Sequence, residues 1–185
     1  MIDILNRKLT AVDYFEMPEG PPWYQLIEGM LVSEPSPSSA HQSIGVNLTL
    51  LLGAYLRSNR LGKIFFAPLD VYLSPEDVFQ PDLIYVSAGR QEIIGRGGLR
   101  AAPDLAVEIL SPSSSLRDRT QKLRIYAASG TTECWLIDPE AKNLQIYEFA
   151  LDRKRPTRVI SLEESFTSQL FPGLTVTAAE IFEGT

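Results

Sequence analysis

The chain is 185 residues long, 44% hydrophobic and 22% charged, with a net charge of −6 and a single cysteine and histidine. That length buries a sizeable core in one domain, and an acidic balance argues against a general nucleic-acid coat while leaving room for local basic patches. Cys134 alone excludes an internal disulfide, and His41 alone excludes a Cys/His zinc cage.

The first twenty residues hold no long apolar stretch after a basic start, so no signal peptide is expected. No apolar run is long enough to cross a bilayer, so no membrane partner is expected, and the lone cysteine and lone histidine suit a cytoplasmic protein. Thr10-Ala11-Val12-Asp13 reads as a capping box opening a short helix that ends before Pro18-Glu19-Gly20. Trp23–Ile27, Glu28-Gly29 and Met30–Val32 predict a hairpin with glycine in the turn. After a loop at Glu34–Ser38, Ser39-Ala40-His41-Gln42 predicts a second capping box, followed by Ile44, Leu48, Leu51, Leu52 and Tyr55 at helical spacing. That helix should stop near Asn59 to Gly62. Strand-like runs follow at Lys63–Leu73, Asp82–Ser87 and Leu105–Leu110. Ser113–Ser115 should cap a helix running to Ala128, with Gly130 as its stop. Glu133–Asp138 and Leu144–Phe149 predict a hairpin, with a last strand near Val159 and a tail from Phe171 to Phe182 whose aromatics dock on the body. The order predicts a mixed α/β sheet flanked by helices, with an N-terminal hairpin, over 1–185 as a single domain.

The chemistry concentrates on three residues. If the strands at 82–87 and 105–110 are antiparallel neighbours, the start of one lies beside the end of the other. Asp82 and Glu108 then approach one cation. Asp104 lies four residues before Glu108, roughly 13 Å away at ~3.3 Å per residue, so it is read as a strand initiator. The short 111–115 connection should hang the next helix over Glu108, letting Lys122 reach back. Carboxylates suit hard Mg²⁺, the metal polarises a phosphate, and a lysine orients the nucleophile or offsets developing charge. A phosphodiester nuclease acting on nucleic acid is the leading reading.

Gln80-Pro81-Asp82-Leu83, Ala102–Ser113, Asp118…Lys122…Tyr126 and Trp135-Leu136-Ile137-Asp138-Pro139 together resemble the Uma-two family, whose members are described as restriction endonucleases of the PD-(D/E)xK nuclease superfamily. The Tyr24–Gly29 hairpin, Pro37…His41-Gln42 and Phe171-Pro172-Gly173-Leu174 extend the resemblance over most of the chain. It implies a restriction-endonuclease-like fold and a Mg²⁺-dependent endonuclease, for which Mn²⁺ can substitute. It also implies Asp82 and Glu108 as metal ligands and catalytic residues. The superfamily lysine two residues after the glutamate is replaced here by Leu110. The resemblance implies Lys122 as a catalytic residue in that role, as in branches where the lysine has moved to the following helix.

Plainer readings stand beside these. Asp82 can be a strand-start residue, Glu108 an ion-pair partner of an arginine or of Lys122, and Lys122 a solvated helix lysine. His41 reads as a surface or capping-turn residue, with contact to the site as the lesser reading, and Glu28 as a turn residue on a hairpin that could lean over the cleft. Arg117, Arg119 and Arg124 read as phosphate contacts or a solvated face, and Arg153–Arg155 as an exposed loop tip. Cys134 reads as a buried small residue. The alternative function is a catalytically weak binding or regulatory module on the same fold. A homodimer is the assembly that suits cutting both strands of a duplex.

Overall fold

The computed structural model describes residues 8–18, 20–33, 36–111 and 116–185, excluding the side chains of residues 116–118. The predicted cap at Ser113–Ser115 lies outside the described residues, as do Glu34-Pro35 of the first loop and the side chains of Arg117 and Asp118.

Helix α1 (Ala11–Phe15) opens on the predicted box: the Asp13 amide donates to Thr10 Oγ1 at 3.3 Å, and the Thr10 amide to Asp13 Oδ2 at 2.8 Å. Strands β1 (Tyr24–Ile27) and β2 (Met30–Ser33) form the predicted hairpin. Its turn residues Glu28 and Gly29 have φ of 49° and 79°, the two left-handed positions of a tight hairpin turn. The Glu28 amide donates to Asp77 Oδ1, which helps hold a glutamate in that backbone region.

Helix α2 (Ser39–Asn59) buries Ile44, Leu48, Leu52 and Leu56 on one stripe. Its cap differs from expectation by one residue. Ser38, not Ser39, accepts from the His41 amide, because the extended backbone at Ser38 places its hydroxyl over the third helical residue. Arg60, at φ 54°, closes the helix within the predicted stop.

The run expected as one strand at 63–73 is two. Strand β3 (Gly62–Phe66) and strand β4 (Asp70–Ser74) flank Pro68, which lacks a ladder donor, and they enter different sheets. Strand β5 (Asp77–Phe79), not read from the sequence, returns along β4. Strand β6 (Leu83–Ser87) then rejoins β3. A 3₁₀ segment at Ala88–Ile93 and strand β7 (Gly98–Leu99) lie in the connection that follows β6. Strand β8 (Leu105–Ile109), helix α3 (Leu116–Ser129) and strands β9 (Glu133–Asp138) and β10 (Asn143–Glu148) follow as expected, with Gly130 at φ 91° ending α3. Strands β11 (Arg158–Ser161), β12 (Ser165–Thr167) and β13 (Thr175–Thr177) and helix α4 (Ala178–Ile181) complete the described elements.

Among the described residues the strands form a six-stranded mixed sheet, β11-β10-β9-β8-β6-β3, a five-stranded sheet, β2-β1-β5-β4-β7, and the pair β12-β13. In the larger sheet β6 runs antiparallel to β8, as predicted, and β8 parallel to β9 through α3. Alternation along β8 sends Leu105, Val107 and Ile109 into the core with α2 and the tail residues Phe166, Phe171 and Phe182. Ala106 turns to the opposite face, where Leu123, Ile125 and Tyr126 of α3 pack with Phe79 and Cys134. Burial on both faces explains why these strands read as near-continuous apolar runs. Glu108 interrupts that run on the α3 side. No described helix is long and apolar enough to cross a membrane.

Candidate active site

Asp82 sits at a corner of the chain. Residues 67–69 carry it from the larger sheet to the smaller, and residues 80–82 carry it back. The two crossings touch, with the Ala67 amide donating to the Asp82 carbonyl at 3.1 Å. The last paired rung of β6 and β8 joins Leu83 to Val107, so Asp82 and Glu108 lie one step beyond it. The Asp82 carboxylate replaces the next ladder bond: its Oδ2 accepts from the Ile109 amide at 2.6 Å. The predicted juxtaposition of the two acidic positions is therefore present.

Asp104 is at the other end, as expected. It accepts from the Ser87 amide at 2.8 Å and pairs with Arg90 at 3.1 Å.

The face of β8 that carries Glu108 meets α3. Lys122 Nζ donates to Glu108 Oε2 at 2.8 Å, and the Tyr126 hydroxyl donates to Oε1 at 2.5 Å. Residues four apart share a helix face, so Lys122 and Tyr126 arrive together. The ion pair weighed as the plainer reading of Glu108 is thus formed, and with Lys122. The pair is largely shielded, at 16% and 13% side-chain exposure. Lys122 also lies 5.7 Å from the centre of the Phe79 ring.

Burial raises the Glu108 pKa above its ordinary value; Lys122 opposes that rise, and the neighbouring Asp82 charge adds to it. Burial, followed by the Glu108 charge, holds the Tyr126 phenol well above its ordinary value, so it stays a hydrogen-bond donor.

His41, read as a surface or capping-turn residue, does lie in the capping turn, and it also places Nε2 at 3.2 Å from Asp82 Oδ1. Helix α2 packs across this sheet, and its first turn ends over the corner that holds Asp82. Glu28 is more than a turn residue. Its carboxylate pairs with Arg124 and accepts from Gln121, tying the hairpin tip to α3. In the sequence Tyr126 stands out only within the Asp118…Lys122…Tyr126 motif, and its four-residue spacing from Lys122 is the signal that places it on the same helix face. His41 gave no such signal, because its partner is 41 residues away and no periodicity links a helix start to a sheet corner. Leu110 is buried and continues the pairing to Ile137, so the position of the absent lysine belongs to the core.

Among the described residues, no group of three His, Cys, Asp or Glu side chains forms a metal cage. Two carboxylates do suit Mg²⁺, which keeps several waters and takes one or two protein carboxylates plus substrate phosphates. Asp82 Oδ2 and both Glu108 oxygens each accept one hydrogen bond, Asp82 Oδ1 lies 3.2 Å from His41 Nε2, and a carboxylate oxygen with one such partner has a second lone pair.

The family model described as "Uma2: Putative restriction endonuclease" matches residues 11–179. No curated protein matches the sequence. Among solved structures, the fold is similar to that of a putative nuclease of family DUF820 from Anabaena variabilis ATCC 29413, with TM-score 0.78 and 22% identity over 94% of this chain and 97% of that one.

Proposed function

Because the chain belongs to the Uma2 family of restriction-endonuclease-like proteins, we propose that it is a metal-dependent endonuclease that hydrolyses DNA phosphodiester bonds. The observation that carries this reading is the meeting of Asp82, Glu108 and Lys122 at one end of the β6–β8 pair. Asp82 and Glu108 would hold Mg²⁺, or Mn²⁺ in its place. The bound ion would polarise the scissile phosphate and lower the pKa of attacking water.

The chain's own groups supply the rest. The Ile109 amide fixes the Asp82 carboxylate, and Tyr126 fixes one oxygen of Glu108. Lys122 balances the Glu108 charge before substrate binds, and its ammonium can turn to an incoming phosphate oxygen as negative charge develops there. Supercoiled plasmid or a labelled duplex, incubated with Mg²⁺ or Mn²⁺, tests the activity. The parent should cleave only with metal, and metal should raise its melting temperature. Asp82→Asn should stay folded and lose both responses; an undiminished metal response in that variant removes Asp82 as a ligand. We further propose that 1–185 works as a single domain in the cytoplasm, and that two copies pair to cut both strands.

A further inference from the structure

Beside α1 lies an open cleft of about 470 Å³, lined by Phe15, Asp70, Tyr72 and the 95–100 loop. Its glycines shape it. Gly98, at φ 147°, lets β7 lie against β4, where an added Cβ would fall 2.2 Å from the Asp70 carbonyl oxygen. At Gly95 a Cβ would come within 3.0 Å of Arg100 Nε, so glycine there leaves room for the guanidinium. Gly97 faces open space.

Arg96 and Arg100 are exposed at this cleft, and among the described residues no carboxylate lies within ion-pair distance of either. On a chain of net charge −6, two such arginines on one short loop form a local cationic site. Phe15 lines the same cleft and remains 53% exposed. The one acid in the lining is already engaged: Asp70 Oδ1 accepts from the Tyr14 hydroxyl at 2.9 Å and from Gln80 Nε2 at 2.8 Å.

That second bond links the cleft to the candidate active site. Gln80 lies two residues before Asp82, a span of at most about 7 Å of extended chain. A nucleic-acid strand rises about 3.4 Å per nucleotide, so a strand crossing Asp82 reaches the cleft within a few nucleotides.

We propose that this cleft binds a nucleotide of the DNA substrate flanking the cut, with its phosphate on Arg96 and Arg100 and its base on Phe15. The proposal rests on the nuclease reading and assigns part of its substrate-binding surface. Guanidinium groups match phosphate oxygens in geometry and charge, and an exposed aromatic ring offers a stacking face to any base.

Fluorescence anisotropy of a labelled DNA duplex with single-stranded ends, without Mg²⁺ and over a salt series, tests it. Arg96→Ala/Arg100→Ala should weaken binding at least tenfold and lower the slope of log affinity against log salt by about 1.8, the value for two lost phosphate contacts. Phe15→Ala should weaken binding by on the order of tenfold with the slope unchanged. The control Arg153→Ala/Arg155→Ala, on a remote exposed loop, should leave the slope as in the parent. An unchanged slope in the Arg96/Arg100 variant, or an equal fall in the control, overturns the proposal. If the parent cleaves DNA while the Arg96/Arg100 variant binds normally, the cleft assignment alone fails. If the parent neither binds nor cleaves, the nuclease reading fails and takes this site with it.

Discussion

Lys122 and Tyr126, one turn apart on α3, take one oxygen each of the Glu108 carboxylate, at 2.8 and 2.5 Å. A buried carboxylate left without such partners would be protonated or would destabilise the fold. The same two contacts leave its remaining lone pairs for a cation. The ion pair and the metal reading of Glu108 are therefore compatible states of one group.

Lys122→Ala separates these roles. Metal-induced stabilisation should persist or grow, because a positive charge beside the ligand pair is removed. Cleavage should fall by ~10²–10³, the usual effect of removing a positioned electrostatic group. Single-turnover cleavage with Mn²⁺, read beside a thermal shift, gives both values. Parent-like cleavage would reassign the role, with Arg124 on the same helix the next residue to test.

Tyr126→Phe removes one hydrogen bond and keeps the ring, which packs edge-on against Phe79 at 5.3 Å. Stability should fall by about 1.5 kcal/mol, the low end for a bond to a charged group. Metal affinity should fall by about 10–100-fold, as when other partners that orient metal ligands are lost. Metal titration by calorimetry is the measurement, and parent-like affinity would show that Lys122 alone fixes Glu108.

Glu28→Ala releases Arg124 and Gln121 from the hairpin tip. Both side chains of the ion pair are substantially exposed, 43% for Glu28 and 60% for Arg124, so the stability cost should stay below about 1 kcal/mol. Hydrogen exchange should nevertheless rise in α3, because the strap across that helix is gone. Exchange unchanged in residues 119–128 would show that packing by Leu123, Ile125 and Tyr126 suffices.

Glu133 gives a pH signature away from the site. It is 2% exposed and accepts from the Trp135 indole and the Ser168 hydroxyl. Burial raises its pKa in the fold; the bonds from Trp135 and Ser168 pull the other way. A raised acid favours folding while protonated, so its contribution is full below the ordinary value of 4.5 and is lost as pH rises through the folded value. Glu133→Gln lacks that loss. The melting temperature of the variant relative to the parent should rise with pH across this window. A pH-independent difference would show that the carboxylate titrates normally.

The sequence by itself determined the elements whose signals are local. The Thr10–Asp13 box, the Glu28-Gly29 turn, the α2 stripe and the Gly130 stop each lie within a few residues, where backbone geometry and side-chain spacing decide the outcome. It also placed Asp82 opposite Glu108 and Lys122 above them, because adjacent antiparallel strands and a short crossover leave few alternatives.

Tertiary structure alone decided the rest. Pro68 splits one apolar run between two sheets, and only long-range pairing reveals which half goes where. His41 meets Asp82, and Glu28 meets Arg124, across 41 and 96 residues of chain. No repeat in the sequence encodes such contacts. They arise because helix α2 packs over the sheet corner and the hairpin tip reaches helix α3, and both placements are set by the burial of apolar faces far from the polar groups they bring together.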